Sequence, residues 1–293
     1  MNGHASRADW ELFLTFQRLA FSSWWLPGVT LARSMSRHRR LALELSKREL
    51  LDRYAGQFFG AAWALFHPAL TVLVFLFLFG EVLKLKISGT NIPPNVGFTT
   101  YLLAGLLPWL VLQDVMGRGA TLITSQAHLV KQVAFPLDVL PIKSIPPAFV
   151  ILLVGLILLA GYTLVFVGPL PWTYIMLPLL ISELAIICVG VALLLSAVGV
   201  FVRDLKDFVQ IFTFVGIYVS PIIYTIDAIP SKLRLLIMLN PFTSIILVFQ
   251  DALFYGAFIH PWAWVISALL SLAIFLVGAR VFYSTQHFFG SYL

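Results

Sequence analysis

Ile145-Pro-Pro-Ala-Phe-Val-Ile-Leu-Leu-Val-Gly-Leu-Ile-Leu-Leu-Ala-Gly-Tyr-Thr-Leu-Val-Phe-Val167 contains no charged side chain in 23 residues. As a helix it would be about 35 Å long, enough to cross a hydrocarbon core of about 30 Å. It is not alone. Comparable apolar runs occupy residues 63–83, 99–123, 173–202, 208–226 and 262–282. Over the whole chain 60% of residues are hydrophobic and only 11% are charged, too few charges to cover a water-exposed surface. The solvent for most of this chain is therefore lipid, and only closed hydrogen-bonded structures such as helices are stable there. The expected fold is an all-α integral membrane protein with six transmembrane helices.

The segments between these runs divide further. Residues 19–29 are apolar, but Ser22, Ser23 and Pro27 make them a poor span, and no basic start or small-residue cleavage site suggests a signal peptide. Residues 227–261 hold two apolar pieces, Leu233–Leu239 and Phe242–Phe254, broken by Asn240-Pro241. Each is too short to cross, so the pair is expected to form a re-entrant helical hairpin before the last span. The fourth run is long and contains Pro178, so it should tilt or begin in the interface.

Ahead of the first span, Leu43, Leu50, Leu51, Tyr54 and Phe58 share one helical face, and Arg48, Glu49, Asp52 and Arg53 share the other. That pattern predicts an N-terminal amphipathic interface helix over 41–62, lying in the membrane plane. Residues 1–40 then form a basic N-terminal extension with no assigned role, and 63–293 form the permease domain.

Charge sets the orientation. Fifteen of the 19 Lys and Arg residues fall in the N-terminal segment, the 118–143 and 203–207 loops and the end of the last span. Only Lys84, Lys86, Lys232 and Arg234 lie in the alternate loops. The positive-inside rule puts both termini in the cytoplasm. The same rule accounts for the net charge of +6 without any nucleic-acid partner.

No catalytic or metal-binding constellation emerges. The chain has no G-x-x-x-x-G-K-[ST] phosphate cradle, no G-x-S-x-G elbow and no H-E-x-x-H. Its single cysteine, Cys188, permits neither an intrachain disulfide nor a thiolate zinc site. No external loop offers the paired carboxylates of a membrane glycosyltransferase. Two acids lie inside apolar runs, where an ionisable group is a functional candidate by default. Asp114 stands four residues before Arg118, the spacing of an ordinary helical ion pair, whereas Glu183 has no cation nearby in sequence.

The order of short motifs carries more. R-Y-x-G-x-x-x-G-x-x-W runs from Arg53 to Trp63 and is followed by Pro68. Then come Y-L-L-A-G-L-L-P-W at Tyr101–Trp109 and L-V-K-Q-V-A-F-P-L-D-V-L-P at Leu129–Pro141. R-D-L-K-D at Arg203–Asp207, S-P-I-I-Y at Ser220–Tyr224 and L-N-P at Leu239–Pro241 complete the series. Any one is weak; six in this order resemble the membrane subunit of bacterial ABC exporters for lipid-linked polysaccharides, the O-antigen and teichoic-acid export permeases, over about residues 41–284.

That resemblance implies a homodimer carrying two copies of a cytoplasmic ABC ATPase subunit. ATP and magnesium would be bound in that partner and no cofactor by this chain. It also implies a coupling segment at Leu129, Val130, Lys131, Gln132, Phe135 and Pro136, with Arg203 and Asp204 in a turn near the same interface. The two helices that border the channel in such permeases would here carry Phe59, Trp63 and Phe66 on one and Phe214, Tyr218 and Tyr224 on the other. Flat rings of this kind can pack on the apolar C–H faces of sugars. Two other functions stay open on sequence alone: an ABC exporter of drugs or small lipids, and a proton-coupled transporter working through Asp114 or Glu183.

Overall fold

The computed structural model describes residues 26–83, 97–131 and 135–293. Lys84, Lys86 and Gln132 lie outside them. Among the described residues all regular structure is helical. Helix α1 spans Leu26–Asp52, α2 Trp63–Phe75, α3 Phe98–Gly119, α4 Ala127–Val130, α5 Val139–Lys143 and α6 Ile145–Tyr162. After these come α7 (Leu177–Phe201), α8 (Leu205–Val219), α9 (Ser231–Met238), α10 (Thr243–Gln250), α11 (Pro261–Thr285) and α12 (Phe289–Tyr292). Short 3-10 or π turns extend several of them, so that among the described residues five continuous helical stretches are long and apolar enough to cross a bilayer. These are Gly60–Val82, Phe98–Gly119, Val139–Val167, Trp172–Phe201 and Pro261–Tyr292.

The sixth expected span is shorter than its sequence suggested. Helix α8 has 15 residues and stops at Val219. That length covers about 22 Å, less than the hydrocarbon core. The cause is Pro221. A residue before proline is driven out of the helical region, and Ser220 sits at φ −93°, ψ 151°. The run to residue 226 is apolar in composition but not helical in backbone.

Helix α3 is the axis of the bundle. It is buried almost all round, among α6, α7, α8 and α10. Helices α7 and α11 form the most extensive helix pair, and glycines allow their close approach. A Cβ added at Gly190 would stand 2.6 Å from the Phe275 backbone, and one at Gly278 would stand 2.1 Å from the Gly190 carbonyl oxygen. In lipid, where burying apolar surface drives little, such close backbone packing is a main source of association. By contrast α2 rests chiefly on α6. Its outward residues Leu65, Phe66, Leu70 and Val74 are exposed, as are Phe208, Ile211, Phe214 and Tyr218 on α8.

Residues 227–261 form two short helices broken at Asn240-Pro241. The Asn240 side chain holds the break: its amide donates to Ser220 Oγ at 3.1 Å, and its carbonyl accepts from the Phe242 N–H at 3.1 Å. The two arms are unequal. Every residue of α10 is buried, whereas in α9 none of those whose side chains are described is.

The N-terminal helix also departs from expectation. Helix α1, described from Leu26 onward, continues through the boundary expected at residue 40, with a kink at His38 (φ −104°, ψ 18°). It ends at Asp52 rather than reaching 62. Turns follow, with Gly56 at φ +78° and Gly60 at φ +51°, conformations that a side chain at either position would disfavour.

Candidate functional site

The expected coupling segment packs at one end of the bundle, over a second core formed by Leu31, Leu122, Ile123, Leu140, Phe282 and Phe289 among others. Val130 is buried in that core, with Leu129 and Phe135 packed against it, while Lys131 is exposed and Pro136 half-buried. Between this segment and α1 lies a cavity of about 370 Å³. Leu45, Arg48, Glu49 and Asp52 form one wall, and His128, Leu129 and Phe135 the other. Lys143 reaches it from the end of α5.

A chain of charges ties the α1 wall to α3 and α5. Asp114 pairs with Arg118 of its own helix, and Arg53 Nη2 lies 3.5 Å from the same carboxylate. Arg118 Nη1 is 3.9 Å from Glu49 Oε1, and Lys143 Nζ is 2.9 Å from Glu49 Oε2. Asp114 is thus a structural ion pair, as its spacing suggested, but within a network that ties α1, α3 and α5. One further polar clip fastens the same end: the Tyr283 hydroxyl donates to Asp138 Oδ2 at 2.7 Å.

Arg203 and Asp204 are exposed in the turn before α8 and do not line the cavity. The Asp204 side chain makes no capping bond to α8. What lies between this turn and the coupling segment is the C-terminal helix α12. Phe289 is fully buried beside Phe201 and Phe282, and Tyr292 stacks edge-on to Phe201 at 4.9 Å.

The aromatic candidates fall into two groups. Phe59 meets Trp63 at 5.6 Å and Phe66 at 5.8 Å. Phe214 meets Tyr218 at 5.8 Å, and the Tyr224 hydroxyl donates to the Tyr218 carbonyl at 2.8 Å. Each group is largely exposed. Within one chain α2 and α8 both flank α3 and make no extensive contact with each other.

Several of the sequence motifs meet at a buried node. The break at Pro221 leaves backbone carbonyls without helical partners, a heavy cost in an apolar interior. Tyr101 donates its hydroxyl to the carbonyls of Pro221 (3.1 Å) and Tyr224 (2.9 Å), and Gln250 Nε2 donates to Pro221 at 2.8 Å. Gly105 lets Gln250 in: a Cβ there would stand 2.7 Å from Nε2. Trp109, one end of the same motif, is fully buried under α8, where a Cβ at Gly216 would fall 2.4 Å from its ring.

Two acids complete the inventory. Glu183 accepts from Ser271 Oγ at 3.5 Å across the α7–α11 contact. Asp251, which the sequence reading missed, is fully buried at the end of α10. Its carboxylate accepts from the His260 N–H and Trp264 Nε1, each at 3.0 Å, and pairs with His260 Nδ1 at 2.8 Å. Its partners lie nine and 13 residues further on, and no short motif joins them. Among the described residues no group of three or more His, Cys, Asp or Glu side chains is placed to hold a metal ion.

The family model for ABC-2 type transporters matches residues 40–254. An O-antigen export system permease protein of Myxococcus xanthus is 29% identical to this chain, over 86% of it and 94% of that protein. A Klebsiella pneumoniae protein of the same description is 26% identical, over 86% and 95%. A polysialic acid transport protein of Escherichia coli is 21% identical, over 86% and 96%.

Proposed function

From the premise that this chain belongs to the ABC-2 type transporter family, we propose that it is the membrane subunit of a polysaccharide exporter. The observation that carries the substrate class is the near full-length similarity to permeases named for O-antigen and polysialic acid export. The chain is a permease and not an enzyme. ATP, with its magnesium, is bound and hydrolysed by a separate subunit, in keeping with a sequence that has no phosphate cradle.

The finer reading is as follows. Two copies of the chain associate, and the exposed apolar faces of α2 and α8 support this, since each is left uncovered by the rest of its own chain. The two aromatic groups then line a path shared between copies, and a lipid-linked glycan moves through it. Both termini lie in the cytoplasm, and the protein sits in the inner membrane of a bacterium. Helix α8 together with residues 220–226 completes a sixth crossing, and α9 and α10 enter and leave from the external side. The second half of α1 lies along the cytoplasmic interface. The cavity between α1 and Leu129–Phe135 receives the ATPase.

The test is export itself. Deleting the gene should leave finished polysaccharide inside the cell, and expressing this chain with its ATPase should return it to the surface. Surface polysaccharide that is unaffected by the deletion would overturn the substrate class. ATP-independent transport by the purified chain in vesicles would overturn the division of labour.

A further inference from the structure

We infer that the first half of α1 is an anionic-lipid clamp, in which Arg33, Arg37, Arg39 and Arg40 hold phosphate headgroups of the inner leaflet. This rests on the orientation proposed above. Arg33, Arg37 and Arg39 precede the region matched by the family model, which starts at Arg40.

Its position comes from packing. A Cβ at Gly28 would stand 3.3 Å from the Phe275 ring and 3.5 Å from Leu276, so this turn of the helix lies beside the middle of the last span. One turn on, Leu31 is 3% exposed in the core that also holds Ala279 and Phe282. The two helices therefore run side by side toward the same end. Gly28 to Arg33 and Phe275 to Arg280 are equal steps of about 7.5 Å, which sets Arg33 level with Arg280.

The outward surface changes character at that level. Above it Leu26 is 57% and Val29 45% exposed. The Thr30 hydroxyl there is satisfied by the Leu26 carbonyl at 2.8 Å, so it adds no polar demand in lipid. Below it Arg33, Arg37, Arg39 and Arg40 are all exposed, and no ion pair among the described residues holds any of them. The residues from 26 to 43 include no acid. An apolar band that gives way to unpaired arginines within one helix is complementary to acyl chains above and phosphates below. Guanidinium forks match phosphate oxygens, and basic residues near an anionic leaflet attract it individually.

Lipid retention tests this. The full chain, co-purified with its ATPase, is passed through detergent containing equal phosphatidylglycerol and phosphatidylcholine, and the bound lipid is extracted and quantified. Wild type should retain phosphatidylglycerol preferentially. Replacing all four arginines by glutamine should reduce that preference about tenfold, whereas replacement by lysine should keep most of it. Lys232→Gln, which removes an exposed cation from the opposite side of the protein, should change nothing. Raising salt on the wild-type complex should also release the lipid, so the result does not depend on variants folding well. Inorganic phosphate should displace no more than chloride of equal ionic strength; stronger displacement would indicate a free-phosphate site and overturn the lipid assignment. Unchanged retention in the glutamine variant would overturn it too, as would loss of the ATPase in place of lipid. Labelling of Arg33→Cys from the outside would overturn the orientation, a result distinct from any of these.

Discussion

Lys143 Nζ lies 2.9 Å from Glu49 Oε2 and joins the helix before the first span to the residue that closes α5. The lysine side chain is 6% exposed and the glutamate 24%. Glu49 also faces Arg118, so it is the common anion of two cations from two other helices. Burial makes the pair sensitive to the loss of one partner, because the remaining charge keeps its desolvation cost. Glu49→Gln should destabilise the chain by about 3 kcal/mol, read as a lower melting temperature in detergent. Glu49→Gln combined with Lys143→Met should recover part of that loss. Equal stability of Glu49→Gln and wild type would show that the contact is idle.

Gly216 is the seat of α8 on Trp109. Gly216→Val should push α8 off α3, at a cost of about 1–3 kcal/mol for overpacking. Trp109→Phe in the same chain should relieve the clash. Thermal stability of the single and double variants measures this, and a Gly216→Val protein as stable as wild type would contradict the 2.4 Å approach.

Tyr101→Phe removes the hydroxyl that serves two carbonyls. A buried carbonyl left without a donor costs about 1–3 kcal/mol. Hydrogen exchange over residues 219–226 should accelerate while exchange over α7 and α11 stays as it was. Unchanged protection over residues 219–226 in Tyr101→Phe would assign the node no role.

Topology is checked with single cysteines on a Cys188→Ser background. Ser125→Cys and His287→Cys should be shielded from membrane-impermeant reagents in spheroplasts, and Pro169→Cys and Lys232→Cys should react. Reaction at Lys232→Cys only from the cytoplasmic side would break the re-entrant reading of α9 and α10.

The aromatic path predicts a kinetic effect. Ring stacking contributes about 0.5–1.5 kcal/mol per site, so Trp63→Leu or Tyr218→Leu alone should slow export several-fold at most. The double change should leave glycan inside at normal protein levels. Wild-type export by the double variant would assign both rings to packing.

How much of this was legible depended on whether the deciding contact was local. Long uninterrupted apolar runs such as Ile145–Val167 identified their helices because length and composition suffice. The end of α8 was misread because Pro221 lies within an apolar window, where hydropathy hides a backbone constraint. The helical stretch of α1 before residue 40 was missed because Pro27, two serines and four arginines dilute a pattern that only its partner, Phe275, makes sense of. The Asp114–Arg118 pair was legible at helical spacing. The Glu49–Lys143 pair and the Asp251–His260–Trp264 cluster were not, since folding alone brings their members together. The motifs of Tyr101, Ser220 and Asn240 were visible as strings, but their shared task of satisfying a broken backbone emerged only in three dimensions.

The glycine contact between α7 and α11 has a mechanical consequence. With the Gly190 carbonyl pressed against Gly278, neither helix can slide past the other without a backbone collision. These two helices are interlocked backbone to backbone, and α3 is keyed to them by the close approach of Gly199 to the Ala120 carbonyl just beyond its end. Any rearrangement of the bundle that keeps these contacts must carry α7, α11 and the end of α3 as one body.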